Sequence, residues 1–273
     1  MEIGTITRRF HFCASHRYWV SDWSEEQNRR VFGNRTTPYG HGHNYMLDVT
    51  LRGPIDRETG MVINLSEVKR IVGSVVERFD HKFLNADLPY FENMQPTAEN
   101  LSRLFWQLIE PGLPDGTYLH RIRLYTTPSV FAEFHGAEDA VFCKTFTFSA
   151  THRLHSPLIS DERNAKVYGK CNNPNGHGHN YELTVYVRQA PDPVTGMTMP
   201  MVELDRTVRE FLSGNLEGRR LDKEVPFFEE RPATSENILA FVHQELKQKL
   251  GQCLWKLKLK ETTNNFFEIE EEK

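Results

Sequence analysis

Gly40-His41-Gly42-His43-Asn44-Tyr45 recurs in full as Gly176-His177-Gly178-His179-Asn180-Tyr181, 136 positions further along the chain. The same spacing relates Phe12-Cys13-Ala14-Ser15-His16-Arg17 to Phe148-Ser149-Ala150-Thr151-His152-Arg153, and Thr59-Gly60-Met61 to Thr195-Gly196-Met197. Further on, Pro89-Tyr90-Phe91 answers Pro226-Phe227-Phe228 and Thr97-Ala98-Glu99-Asn100 answers Thr234-Ser235-Glu236-Asn237, now 137 apart, so one residue entered between. Ordered matches at nearly constant spacing mean an internal duplication. The polar run His135-Gly136-Ala137-Glu138-Asp139 reads as the join. The expected units are 1–138 and 139–273.

Each half repeats one order of elements. A β-rich stretch (residues 6–15 and 145–151) leads into a long polar loop. A second strand follows, 44–51 or 180–187, in which Tyr45, Leu47, Val49 and Leu51 alternate as a half-buried strand requires. Leu65, Val68, Ile71, Val72, Val75, Val76 and Phe79 then recur at helical spacing. A second helix opens at Thr97, and at Thr234 in the other half, with a capping hydroxyl and an acid in the first turn. Two strands close each half, at 118–125 and 130–134, and at 255–260 and 266–269. This order predicts an α+β fold, an antiparallel four-stranded sheet with two helices on one face, made twice.

The composition suits a globular chain: 273 residues, 38% hydrophobic and 26% charged. A net charge of −4 argues against a nucleic-acid partner, while leaving room for a locally basic pocket. No apolar run approaches the roughly 18 residues of a membrane span. The mixed, charged opening residues do not read as a signal peptide. The four cysteines, Cys13, Cys143, Cys171 and Cys253, form no CxxC pair. A reduced, cytoplasmic setting is expected. Cys13 matches Ser149 and reads as strand packing.

His41 and His43 are two apart at the entry of a strand and so share a face. Gly42 between them is expected to let another backbone come close. His16 ends the first strand. If the two strands pair antiparallel, three imidazoles converge. Three neutral nitrogens with a fourth position open is the arrangement of a catalytic zinc. His152, His177 and His179 give the same set. A solvent-facing turn would account for one His-Gly-His, but not for two copies with a third histidine at the same distance.

The run Gly169-Lys170-Cys171-Asn172-Asn173-Pro174-Asn175-Gly176-His177-Gly178-His179-Asn180-Tyr181, with Phe148–Leu154 before it, resembles the signature of 6-pyruvoyltetrahydropterin synthases and the related 6-carboxytetrahydropterin synthases. The five residues between Cys171 and His177 favour the pyruvoyl branch. The resemblance covers nearly the whole chain, twice. It implies two tandem tunnelling-fold (T-fold) units and a Zn2+ cofactor. The implied enzyme is a carbon–oxygen lyase that eliminates triphosphate from 7,8-dihydroneopterin triphosphate to give 6-pyruvoyltetrahydropterin. In that family zinc acidifies the substrate side chain, a cysteine shuttles protons, an Asp-His pair activates the cysteine and a glutamate anchors the pterin.

Carried over residue by residue, the family's parts are divided between the halves. The second half holds Cys171 and Glu261, with Thr234 and Glu236 matching a segment that lines the pterin pocket; helix capping explains those two equally well. It has Glu217-Gly218 where the Asp-His pair belongs. The first half holds Asp80-His81, but Arg35 at the cysteine position and Thr126 at the glutamate position. Because the family builds its site between subunits, the resemblance implies one working site, with zinc on His152, His177 and His179, and one silent site, with zinc on His16, His41 and His43 but without the catalytic groups. It also implies a homo-oligomer, six units from three chains. A carboxytetrahydropterin synthase on the queuosine route and a non-catalytic pterin binder are the other readings.

Overall fold

The computed structural model describes residues 2–271. The chain divides into two compact units, residues 1–143 with 188–203, and residues 144–187 with 204–273.

In the first unit, β1 (Ile3–His16), β2 (His41–Pro54), β4 (Tyr118–Thr127) and β5 (Val130–Phe134) form an antiparallel sheet in that order. The two-residue β3 (Lys82–Phe83) adds to β1 in parallel. Against one face lie α2 (Leu65–Val76) and α4 (Ala98–Ile109). Val68, Ile71, Val72, Val75 and Val76 of α2 pack with Leu101, Leu104 and Phe105 of α4 over Phe12, Tyr45, Leu47, Val49 and Leu51 of the sheet. Asn64 caps α2 by accepting from Ser66 N, and Thr97 caps α4 by accepting from Asn100 N. The long polar loop is partly helical: α1 spans Glu25–Phe32. Ser24 caps it, Glu25 and Glu26 sit in its first turn, and Arg29 and Arg30 in its last, which complements the helix dipole without any apolar stripe. A short α3 (Leu84–Asp87) follows β3.

The second unit repeats the plan. Its strands run β6 (Ala140–His152), β7 (His177–Gln189), β8 (Leu254–Lys260), β9 (Phe266–Glu270). α5 (Asp161–Tyr168) again turns the polar loop into a helix, capped by Ser160. α6 (Met201–Asn215), a short α7 (Leu221–Glu224) and α8 (Ser235–Leu250) complete it. Phe148, Tyr181, Leu183, Val208, Phe211, Leu239 and Val242 are buried. Phe148 stacks on Tyr181 at 4.9 Å between centroids, as Phe12 stacks on Tyr45 at 4.7 Å, so the residue behind each His-Gly-His anchors its strand in the core. No described helix is long and apolar enough to cross a membrane.

Candidate metal and catalytic centres

Strand register makes the triad of the first unit. His16 is paired across the ladder with His41, and Ala14 with His43. His16, on the buried face with Phe12 and Ala14, meets both histidines of β2. His16 Nε2 lies 3.0 Å from His41 Nε2, and the His16–His43 and His41–His43 ring centroids are 5.2 and 4.9 Å apart. In the second unit His152 Nε2 lies 3.2 Å from His177 Nε2, with the other centroids at 5.2 and 5.0 Å. Each triad brings three ligand atoms within 4.8 Å of one another.

The glycine that the turn requires is Gly40, one residue before the pair. Its φ is +69°, and a Cβ there would stand 2.6 Å from the His16 carbonyl. Gly176 repeats this, with φ +73° and 2.9 Å to the His152 carbonyl. At Gly42 an added Cβ would meet nothing nearer than 3.6 Å, so the close approach expected there belongs to Gly40. Cys13 is exposed, on the face opposite Phe12 and Ala14, so it is not core packing; strand alternation about His16 already required that.

The triads are chemically set for a cation. His16 Nδ1 donates to the Pro96 carbonyl at 2.8 Å and His152 Nδ1 to the Ala233 carbonyl at 2.6 Å. A carbonyl only accepts, so each Nδ1 carries the proton and each Nε2 offers a lone pair inward. His41 and His177 each leave a buried Nδ1 without a partner, a desolvation cost borne while Nε2 faces the triad. Burial first, then neighbouring imidazoles, pushes His41 down to about 4 and His16 well below the ordinary imidazole range. Burial likewise lowers His43, His152 and His177. Nitrogen donors on a tetrahedral ion with bonds of about 2.0–2.1 Å would stand a little over 3 Å apart. The His16–His41 and His152–His177 pairs, at 3.0 and 3.2 Å, stand close to that spacing.

Charge separates the two. Beside the second triad lies a carboxylate: Glu261 Oε1 is 3.9 Å from His152 Nε2 and 3.8 Å from His179 Nε2, and accepts from Ser235 Oγ at 2.7 Å. Beside the first lies a guanidinium, since the Arg35 charge further depresses all three imidazoles. Arg35 and His43 line one pocket with Thr126.

Local contacts explain why Arg35 and Cys171 hold equivalent places. The Cys171 carbonyl accepts from Leu154 N at 2.8 Å and the Asn172 carbonyl from Arg153 Nε at 3.0 Å. The Arg35 carbonyl accepts from Tyr18 N at 3.1 Å and the Thr36 carbonyl from Arg17 Nε at 3.0 Å. Each turn is thus stapled just past its own β1- or β6-terminal histidine. The half-exposed thiol of Cys171 is free.

Asp80 and His81 stand at the outer edge of β1. Asp80 Oδ1 accepts from Cys13 N at 2.8 Å, His81 N donates to the Cys13 carbonyl, and His81 Nδ1 lies 2.9 Å from Asp80 Oδ2. His81 is largely exposed. In the second unit Glu217 keeps the backbone role, accepting from Ser149 N at 3.2 Å, and Gly218 N donates to the Ser149 carbonyl. Only the imidazole is lost.

One feature of the first pocket was not legible from the motifs. Residues 195–201 cover it. Thr97 Oγ1 donates to the Gly196 carbonyl at 2.6 Å, and Thr198 N donates to Glu99 Oε1 at 3.0 Å. Met197, Met199 and Met201 line it with Phe142, leaving about 30 Å3. Burial pushes the Glu99 carboxyl up to about 7 despite the Thr198 bond. Thr234 caps α8 through Asn237 N at 3.4 Å, and Glu236, the counterpart of Glu99, is exposed.

A family model described as 6-pyruvoyl tetrahydropterin synthase matches residues 5–137 and again 142–272. The chain belongs to the 6-pyruvoyl tetrahydropterin synthase family. Human 6-pyruvoyl tetrahydrobiopterin synthase is 43% identical over 128 residues, 46% of this chain and 88% of its own. The Drosophila melanogaster synthase is 39% identical over 135 residues, 49% of this chain and 80% of its own. The solved structure of the Caenorhabditis elegans 6-pyruvoyl tetrahydropterin synthase, 36% identical, covers 49% of this chain and 96% of its own with a TM-score of 0.47. This member of the family carries two tandem T-fold units.

Proposed function

We propose that the chain is a zinc-dependent lyase that converts 7,8-dihydroneopterin triphosphate to 6-pyruvoyltetrahydropterin, eliminating triphosphate at the second triad. The observation that carries this reading is the second site's donor set: three converging imidazoles, His152 buried and His177 and His179 partly so, a carboxylate against them and a free thiol on the adjoining turn. His152, His177 and His179 would hold the metal. Three nitrogens suit zinc, which when bound stabilises negative charge developing on the substrate's side-chain oxygens.

The residues supply the rest. The Glu261 carboxylate, held by Ser235, accepts from pterin N–H groups and orients the ring. Thr234 and Glu236 line the same end. The covered first pocket offers an internal analogue: there a backbone N–H, that of Thr198, already donates to Glu99, the position equivalent to Glu236. Cys171 takes a proton from the side-chain carbon and returns one after triphosphate leaves. His81, oriented by Asp80, relays that proton.

In this proposal Asp80 and His81 reach the second site from a first unit, and the protein works as a homo-oligomer of six units from three chains. An exposed edge strand, β9 with Phe266 56% exposed, gives such an assembly something to cover. The test is to incubate the zinc-loaded protein with 7,8-dihydroneopterin triphosphate and identify products. Triphosphate with a 6-pyruvoyl pterin is expected. A 6-carboxypterin would reassign the reaction, and pterin binding without turnover would make the protein a binder.

A further inference from the structure

The two triads share their geometry, so geometry does not decide whether both hold metal. The Nε2 separations are 3.0 and 3.2 Å, and each buried first histidine is pinned by a backbone carbonyl. Their surroundings differ in sign. Where the second site has the carboxylate of Glu261, the first has Thr126, a neutral hydroxyl that donates to the Val130 carbonyl at 3.3 Å. Where the second has the ionisable thiol of Cys171, the first has the guanidinium of Arg35. Arg35 has no carboxylate within ion-pair reach among the described residues, so its charge is not cancelled locally. It shares a narrow pocket with His43 and is held on a turn stapled to Tyr18 and Arg17. The acid nearest at hand in that pocket, Glu99, is buried and hydrogen-bonded to Thr198.

A site built for a divalent cation gathers negative or neutral donors and excludes uncompensated cations, since like charges brought together in a partly desolvated pocket repel. We infer that the first triad does not hold a metal ion: Arg35 supplies the positive charge there, and the chain binds one zinc ion, on His152, His177 and His179. The first triad then serves as a packed polar cluster. His16 ties the end of β1 to the Pro96 carbonyl and packs edge-on against Tyr18 at 4.7 Å. Residues 195–201 close the pocket above it and leave about 30 Å3, which gives a substrate no room beside Arg35.

This rests on the proposed function only in taking the second triad as the metal site. The test is the zinc content of the full chain, saturated with Zn2+, freed of excess by dialysis and measured by elemental analysis against protein concentration. We expect one zinc per chain. His177→Gln should bring it close to none, while His41→Gln should leave it at one. Arg35→Cys, which restores the second site's residue to the first, should add zinc beyond one. Because the His41 variant could lose structure, the wild-type count is decisive by itself, and circular dichroism of the Arg35 variant reports its folding. Two zinc ions per wild-type chain, or a count that falls with His41→Gln in a folded protein, would overturn this inference and leave the lyase reading standing. No zinc on the wild-type chain would overturn both.

Discussion

His81 is held with its Nδ1 2.9 Å from Asp80 Oδ2 while its backbone sits at φ +56°, and it alone among the described non-glycine residues has a positive φ. The equivalent residue of the second unit is Gly218, at φ +70°, which adopts this conformation freely. A left-handed backbone costs a residue with a side chain roughly 1 kcal/mol. The first unit bears that strain to present an imidazole. His81→Gly should therefore keep or raise stability, by up to about 1 kcal/mol, while turnover falls about 10²–10⁴-fold. Chemical denaturation alongside an activity assay checks both, and a variant that stays fully active sinks the proton-relay role.

Sharing of the site between chains is testable by complementation. Cys171→Ala and His81→Ala should each be inactive alone. Co-expressed, they form mixed assemblies, and about a quarter of the sites then draw an intact cysteine and an intact histidine from different chains. Activity that never recovers would mean both groups act within one chain.

Glu261→Gln keeps the shape and removes the charge. Losing a charge-assisted hydrogen bond costs about 1.5–3 kcal/mol, so the substrate KM should rise about ten- to hundredfold with zinc content unchanged. A loss of zinc instead would make Glu261 a metal ligand.

Glu99 predicts a pH dependence of stability. Its folded pKa, near 7, lies above the ordinary 4.5 because it is buried. Between those values the folded state binds more protons than the unfolded one, so stability falls as pH rises from about 4.5 to about 7. Its contribution is on the order of 3 kcal/mol. Glu99→Gln, which still accepts from Thr198 N, should flatten that slope and stabilise the protein at pH 8. An unchanged slope would mean that Glu99 is ionised where it sits.

The covering segment makes a paired prediction. Gly196 has φ +69°, and a Cβ there would lie 2.4 Å from Asn100 Nδ2. Gly60, its counterpart, has the same φ but nothing within 4 Å. Gly60→Ala should cost about 1 kcal/mol, the left-handed strain alone. Gly196→Ala adds a clash and should cost distinctly more, read as a larger drop in melting temperature. Equal losses would show that residues 195–201 do not close the pocket in solution.

The repeat of His-Gly-His at constant spacing was enough to read the duplication, the strand alternation and both triads, because period-two geometry decides which side chains share a face. Other features lay outside that logic. The polar loops at Glu25–Phe32 and Asp161–Tyr168 show no apolar periodicity, so their helices were visible only in the serine caps and the acid-to-base gradient. The match of Cys13 to Ser149 suggests packing, but alternation from His16 puts its side chain outward, where it is exposed. Residue identity alone shows what each half keeps: Arg35 against Cys171, Thr126 against Glu261, His81 against Gly218. What those differences do follows from the fold. Charge acts through space, so the field of Arg35 on the first triad, and the closing of that pocket by residues 99 positions away in sequence, exist only once the chain has folded.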